Sequence, residues 1–320
     1  MPTASTRFQG PVGKQHLFML LTAVFVLLGF CEIATRRLVM KASAIERRTD
    51  RELDAARLAN GPRSMLFVGN SLLVDALPEG ATRDVAPTGW LLRRLVVEQT
   101  SFLDWKYALR AIKRRGTHPQ VIAVMLSPEQ LVSNAARADY SAMRLLDRAD
   151  IIPMGVEAGL HPTDISRMVL SHDSRLYGFR SESRKVLLGL IIPGMSGLVE
   201  RLRPNAVEKA DTIAMFRIAR DRLKELRESV EAGGSRLLLV QAPALKVHGA
   251  KSRAVSHAAE DVGVLIFTPN PPGGYDPVDF KDGFHVSASG AGKFTTELRS
   301  TLQQLLADTS GLERGYSARR

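Results

Sequence analysis

The chain has 320 residues, a single cysteine and 45% hydrophobic content, which is enough for a packed core but excludes an intramolecular disulfide or a cysteine-built metal site. Its formal charge of +11, carried mostly by arginine, favours anionic surfaces such as phospholipid headgroups or acidic polysaccharide. Nucleic acid ranks last as a partner: no helix-turn-helix, zinc-finger or RNP-type pattern accompanies the charge, and aromatic residues make up only 6%.

The first element is "LFMLLTAVFVLLGF" at 17–30, uncharged and extended by Cys31, Ile33 and Ala34 to nearly the roughly 20 residues that cross a bilayer. No small-x-small cleavage site comes after it, and Phe30 stands where a lipoprotein signal needs a small residue, so 17–34 reads as an uncleaved anchor preceded by a cytoplasmic 1–16. Arg36, Arg37, Lys41, Arg47 and Arg48 after the anchor outnumber Arg7 and Lys14 before it, which counts against export of the C-terminal part. The charged stretch "ASAIERRTDRELDAARLA" favours helix, and Asn60-Gly61-Pro62 breaks it, so 35–62 reads as a stalk between membrane and domain.

From residue 63 to 308, apolar strands alternate with helices. Strands are expected at 65–68, 121–126, 237–240 and 264–267, with helices at 102–116, 214–234 and 290–307. This rhythm implies a three-layer α/β/α domain of flavodoxin-like type with a central parallel sheet. It fails between about 135 and 210, which reads as a helical insertion. Within it, "RKVLLGLIIPGMSGLVERLR" at 184–203 is either a helical hairpin packed on the domain or an amphipathic element at the membrane interface. The tail 309–320 reads as disordered.

Two stretches carry chemistry. In "SMLFVGNSLLVDAL" an apolar strand stops at Gly69-Asn70 and a helix starts at once, which places Ser71 at a strand-to-helix turn, where it is either a helix cap or a nucleophile. In "DFKDGFHVSASGAGKF", Asp282 and His285 lie three apart in a Gly-containing loop before the last helix, whose Phe294, Leu298, Leu302 and Leu305 share one face. Histidine is the side chain whose ordinary pKa suits proton transfer from a serine near neutral pH. The two histidines of "KVHGAKSRAVSHAA", nine apart, have no metal-ligand spacing, "SGAGK" lacks the spacing of a phosphate loop, and no cofactor is implied. Asp104, Trp105 and Tyr107 lie on an amphipathic helix face and are either core or cleft lining.

A strand-end Ser near the domain start, paired with an Asp-x-x-His loop before the final helix, resembles the SGNH (GDSL-like) hydrolase superfamily. The resemblance implies that Ser71 attacks an ester carbonyl, that His285 is general base and then acid, and that Asp282 orients the imidazole. It departs at Gly69-Asn70-Ser71, where the common pattern is Gly-Asp-Ser. It departs again in the second block, where "VEQTSFLDW" has no oxyanion-hole glycine. Asn70, Ser101, Ser127 and Asn134 (with Gln130 as a further choice) are the side chains expected to line the oxyanion and substrate site. The resemblance further implies a membrane-anchored serine esterase or O-acyltransferase. It would act on O-acetyl groups of a cell-envelope polysaccharide from the extracytoplasmic side of the inner membrane, beside polysaccharide-assembly proteins. The alternatives are an inactive binding or assembly module on the same fold and, if the charge after the anchor decides topology, a cytoplasmic-facing lipid esterase.

Overall fold

The computed structural model describes residues 11–39, 43–181, 183–184, 211–245 and 249–307. Most of the 184–203 segment and the 309–320 tail lie outside them.

Five strands form one parallel sheet in the order β2-β1-β3-β4-β5: β1 Gly61–Gly69, β2 Leu91–Val96, β3 Pro119–Leu126, β4 Arg236–Gln241 and β5 Leu265–Phe267. β1 shows why its sequence is an unbroken apolar run. Met65 and Phe67 join one hydrophobic cluster and Leu66 and Val68 the other, because helices cover both faces of the sheet. The protein thus has the flavodoxin-like three-layer α/β/α fold. One layer contains α2 Ala44–Arg57, α5 Phe102–Arg114, α11 Thr212–Glu231 and α12 Ala250–Asp261; the other contains α3 Ser71–Ala76, α4 Thr82–Val85 and α13 Ala288–Ala307. On α13, Phe294, Leu298 and Leu302 are fully buried, as their spacing predicts.

Two differences from the expectations have physical causes, and a third observation decides between two open readings. The first is β2, which lies outside the expected strands because Arg93-Arg94 interrupts its apolar run. Arg94 is nevertheless buried, because its guanidinium donates to Glu52 Oε1 at 2.5 Å and to the Leu77 carbonyl. The second concerns 35–62, which does not stand free as a stalk: α2 lies on the domain, with Ala56, Ala59, Glu46, Thr49 and Glu52 buried. Burial pushes the Glu52 carboxyl up, although Arg94 pulls against it. Third, Asp104, Trp105 and Tyr107 are all buried and belong to the core face of α5, not to a cleft.

Between β3 and β4 the chain leaves the sheet and folds into helices: α6 Pro128–Val132, α7 Ala138–Arg144, α8 Arg148–Glu157, α9 Pro162–Asp173 and α10 Arg175–Gly178. Before the sheet, α1 Pro11–Ala34 is exposed from 13 to 30 and is long and apolar enough to span a membrane.

Candidate active site

In a sheet of order 2-1-3-4-5 the chain reverses its winding between β1 and β3, and the crevice beyond the carboxyl ends of those strands is where ligands bind. Ser71 occupies that position as the first residue of α3. Gly69 is required by close approach: a Cβ there would lie 2.8 Å from Leu73 Cβ and 3.3 Å from the Met125 carbonyl. Asn70 caps α3, its Oδ1 accepting from Leu72 N–H at 3.1 Å, so the capping role falls to Asn70 and leaves the Ser71 hydroxyl free for another partner. That partner is His285. Ser71 Oγ lies 3.0 Å from His285 Nε2, across 214 residues of sequence.

His285 is held from its other side. Its Nδ1 lies 2.7 Å from Asp282 Oδ2, while the backbone N–H groups of His285 and Phe284 donate to Asp282 Oδ1 at 2.8 and 3.0 Å. Desolvation works to raise the Asp282 carboxyl, but these hydrogen bonds outweigh it and hold the group at about 2. An ionised carboxylate only accepts, so Nδ1 carries the proton and Nε2 is left as the acceptor for Ser71 O–H. The tight turn between acid and base relies on Gly283 at φ +84°.

The loop rests on a second set of bonds. Lys281 N–H donates to the His285 carbonyl at 2.7 Å, and Ser287 N–H to the Asp279 carbonyl at 2.7 Å. Lys281 Nζ reaches Asp75 on α3 at 2.6 Å, linking the loop to the helix that carries Ser71. Underneath, the Asp279 side chain receives Lys293 Nζ at 2.6 Å, Ser289 Oγ at 2.7 Å and Asp276 N–H at 2.9 Å. The Lys293 ammonium, helped by these donors, holds the Asp279 carboxyl at about 2. Gly290 is needed here, because a Cβ would come within 2.3 Å of the Asp279 carbonyl.

The side chains expected to line the oxyanion site all make contacts with neighbouring segments. Asn70 Nδ2 donates to the Thr100 carbonyl at 2.8 Å, and the Ser101 hydroxyl to the Ala135 carbonyl. Ser127 Oγ accepts from Gln130 N–H at 3.2 Å and Gln130 Oε1 accepts from Ser127 N–H, which closes a capping box on α6. Asn134 Oδ1 accepts from Arg222. These contacts hold loops in place; those of Asn70 and Ser101 use a side-chain donor, whereas Ser127 and Asn134 act in theirs as acceptors. The Ser71 N–H, at the first position of α3, has no acceptor within its helix.

One backbone feature near the site carries no signal in the sequence. In the loop after β2, Gln99 adopts φ +60° and is exposed. A side chain in this left-handed conformation costs about 1–2 kcal/mol. Nothing in the residue type announces it. The loop is pinned by Asp104, which is fully buried and accepts from Ser101 N–H at 2.9 Å, from Arg137 N–H at 3.1 Å and from the Ser141 hydroxyl. Burial pushes the Asp104 carboxyl up against the pull of these donors.

No family model matches the chain, and no curated protein matches it. Among solved structures, it is similar to the crystal structure of TesA at 12% identity and TM-score 0.39, over 75% of this chain and 98% of that one.

Proposed function

We propose that the protein is a membrane-anchored serine esterase or O-acyltransferase of SGNH type, acting through an acyl-Ser71 intermediate. The observation that carries this reading is the hydrogen-bonded series Ser71–His285–Asp282 at the sheet's switch point. Ser71 Oγ bonds to an ester carbonyl carbon as its proton passes to His285 Nε2. The tetrahedral oxyanion points at the Ser71 N–H, and collapse expels the alcohol, which takes the proton from Nε2. Water or a sugar hydroxyl then gives its proton to Nε2 and attacks the acyl-serine, restoring Ser71. The acceptor decides between hydrolysis and transfer.

Asp282, ionised at every pH above about 2, stabilises the imidazolium formed in both steps. The proposed substrate is an O-acetyl group on a cell-envelope polysaccharide, which suits a strongly basic chain tethered to the inner membrane by α1 with its domain outside the cytoplasm. A reporter fused after Arg320 and active only outside the cytoplasm tests that orientation; a silent reporter moves the esterase to the cytoplasmic face.

The test of the chemistry is hydrolysis of p-nitrophenyl acetate by the full chain. Ser71→Ala and His285→Ala are each expected to lower kcat by about 10⁴-fold or more, and the double variant scarcely further. A second reading, a binding or assembly module on this fold, draws on the engagement elsewhere of the Asn70 and Ser101 donors. Hydrolysis indifferent to Ser71 would put that reading first.

A further inference from the structure

The apolar helix α1 does not end in a flexible tether. Glu32, in its last turn, accepts from Ser174 Oγ at 2.8 Å, from Arg175 N–H at 2.8 Å and from Leu176 N–H at 2.9 Å, and it pairs with Arg36 at 2.6 Å. The neighbouring Thr35 is buried. The carboxylate therefore bolts the end of the helix to the start of α10, and with α2 also laid on the domain, the domain's orientation to that helix is set by direct contact.

The segment running through α10 then lines a cleft of about 340 Å³. Gly178 and Ser181 form one wall; Gln99, Arg137, Tyr140 and Arg167 contribute to the rest. Gln99 is next to Thr100, whose carbonyl is held by Asn70, the residue before Ser71, so one loop links the cleft to the turn that carries the nucleophile. Its polar walls are locally neutralised. Arg167 pairs with Asp164 at 2.9 Å and Asp139 with Arg180 at 2.5 Å, while Arg137 donates to the Glu98 carbonyl at 3.1 Å and lies over the Tyr140 ring at 3.7 Å. Alternating donors and acceptors without a dominant charge suit a polyhydroxylated ligand.

At a helical rise of about 1.5 Å per residue, Gly178 and Ser181, which follow closely after Arg175 in the chain, stay within about 10 Å of its contact with Glu32. The polar layer on each side of a bilayer is about 5–8 Å thick. An ionisable Glu32 flanked by exposed Arg36 and Arg37 marks the level where α1 meets that layer. Resting on the reading of Ser71 as nucleophile and of α1 as a span, we propose that this cleft is a saccharide subsite opening at headgroup level, so that the sugar ester or acceptor brought to Ser71 is carried on a membrane lipid.

The experiment uses the full chain in phosphatidylethanolamine/phosphatidylglycerol vesicles. Acetate release is compared for 6-O-acetyl dodecyl glucoside, which partitions into the vesicle, and for soluble 6-O-acetyl methyl glucoside, with p-nitrophenyl acetate as the reference. The lipid-borne ester is expected to be used at least 10-fold better in kcat/KM. Glu32→Ala should bring that ratio toward one and leave p-nitrophenyl acetate turnover unchanged. Independently of which sugar is accepted, a spin label on Ser181→Cys in a Cys31→Ser background should report headgroup depth. Equal use of the two glucosides, or a label in bulk water, overturns the inference and leaves the esterase standing. Loss of Ser71-dependent p-nitrophenyl acetate hydrolysis instead removes the esterase reading itself and the inference with it.

Discussion

Two loops meet at Ser71, and they are built on opposite electrostatic plans. The loop carrying Asp282 and His285 stands on Asp279, a buried carboxylate matched by the Lys293 ammonium. The loop after β2, which carries Gln99, stands on Asp104, an equally buried carboxylate that is held by two backbone N–H groups and a hydroxyl. The difference shows in the direction of their pH response. Asp279, held at about 2 by Lys293, contributes stability that is present above the ordinary carboxylate value and is lost as pH falls through about 2. Asp104 is pushed up by burial, so its contribution is complete at low pH and is lost as pH rises from the ordinary carboxylate value through its raised one. A charge-paired loop suits residues that must stay exposed to substrate, whereas the dry, hydrogen-bonded loop suits a backbone that must be kept in a costly conformation.

Breaking each side separately sharpens the contrast. On the first loop, Asp282→Asn should lower kcat by about 10³–10⁴-fold, because an amide no longer holds the imidazole in the tautomer that accepts from Ser71. Since Asp282 is ionised above about 2, the loss should be present throughout kcat/KM measured from pH 7 to 9; a variant that matches the wild type in that range would count against the assignment. On the other side, Arg94→Ala strands Glu52 without its partner in the core and should cost about 3–5 kcal/mol, read as the urea midpoint of unfolding.

Asp104→Asn puts an amide donor against the N–H groups of Ser101 and Arg137. It should destabilise by about 1–3 kcal/mol, visible as a lower Tm, and the deficit should narrow as pH rises and the wild type meets its own penalty. The smallest effect belongs to Gln99→Gly. Relief of the left-handed backbone should raise stability by up to about 1 kcal/mol with esterase activity retained, while Gln99→Val should lower it.

How much of this is legible in the sequence depends on where each residue's partners lie. The apolar run at 65–68 can be read locally because both its faces meet apolar helices, and the same holds for 121–126 and for the Phe294–Leu298–Leu302 face of α13. β2 is hidden because Arg94 is made compatible with burial by Glu52, 42 residues earlier in a helix whose local charge suggests a stalk. Gln99 is hidden because a backbone conformation normally associated with glycine is imposed by the surrounding loop and leaves no trace in residue type.

By itself, the sequence determined the parallel α/β class, the exposed apolar helix at the start, and the local turns that present Ser71, Asp282 and His285, since periodicity and turn chemistry act over a few residues. Tertiary structure alone decided that Ser71 and His285 meet at 3.0 Å, and it folded the supposed stalk onto the sheet through the Glu52–Arg94 pair. It also gave Asn70 Nδ2 the Thr100 carbonyl as acceptor and bolted Glu32 to α10. Each of these depends on a buried or aligned polar group finding its partner from a distant part of the chain, and the energy of such a pairing exists only once the fold has brought the two together.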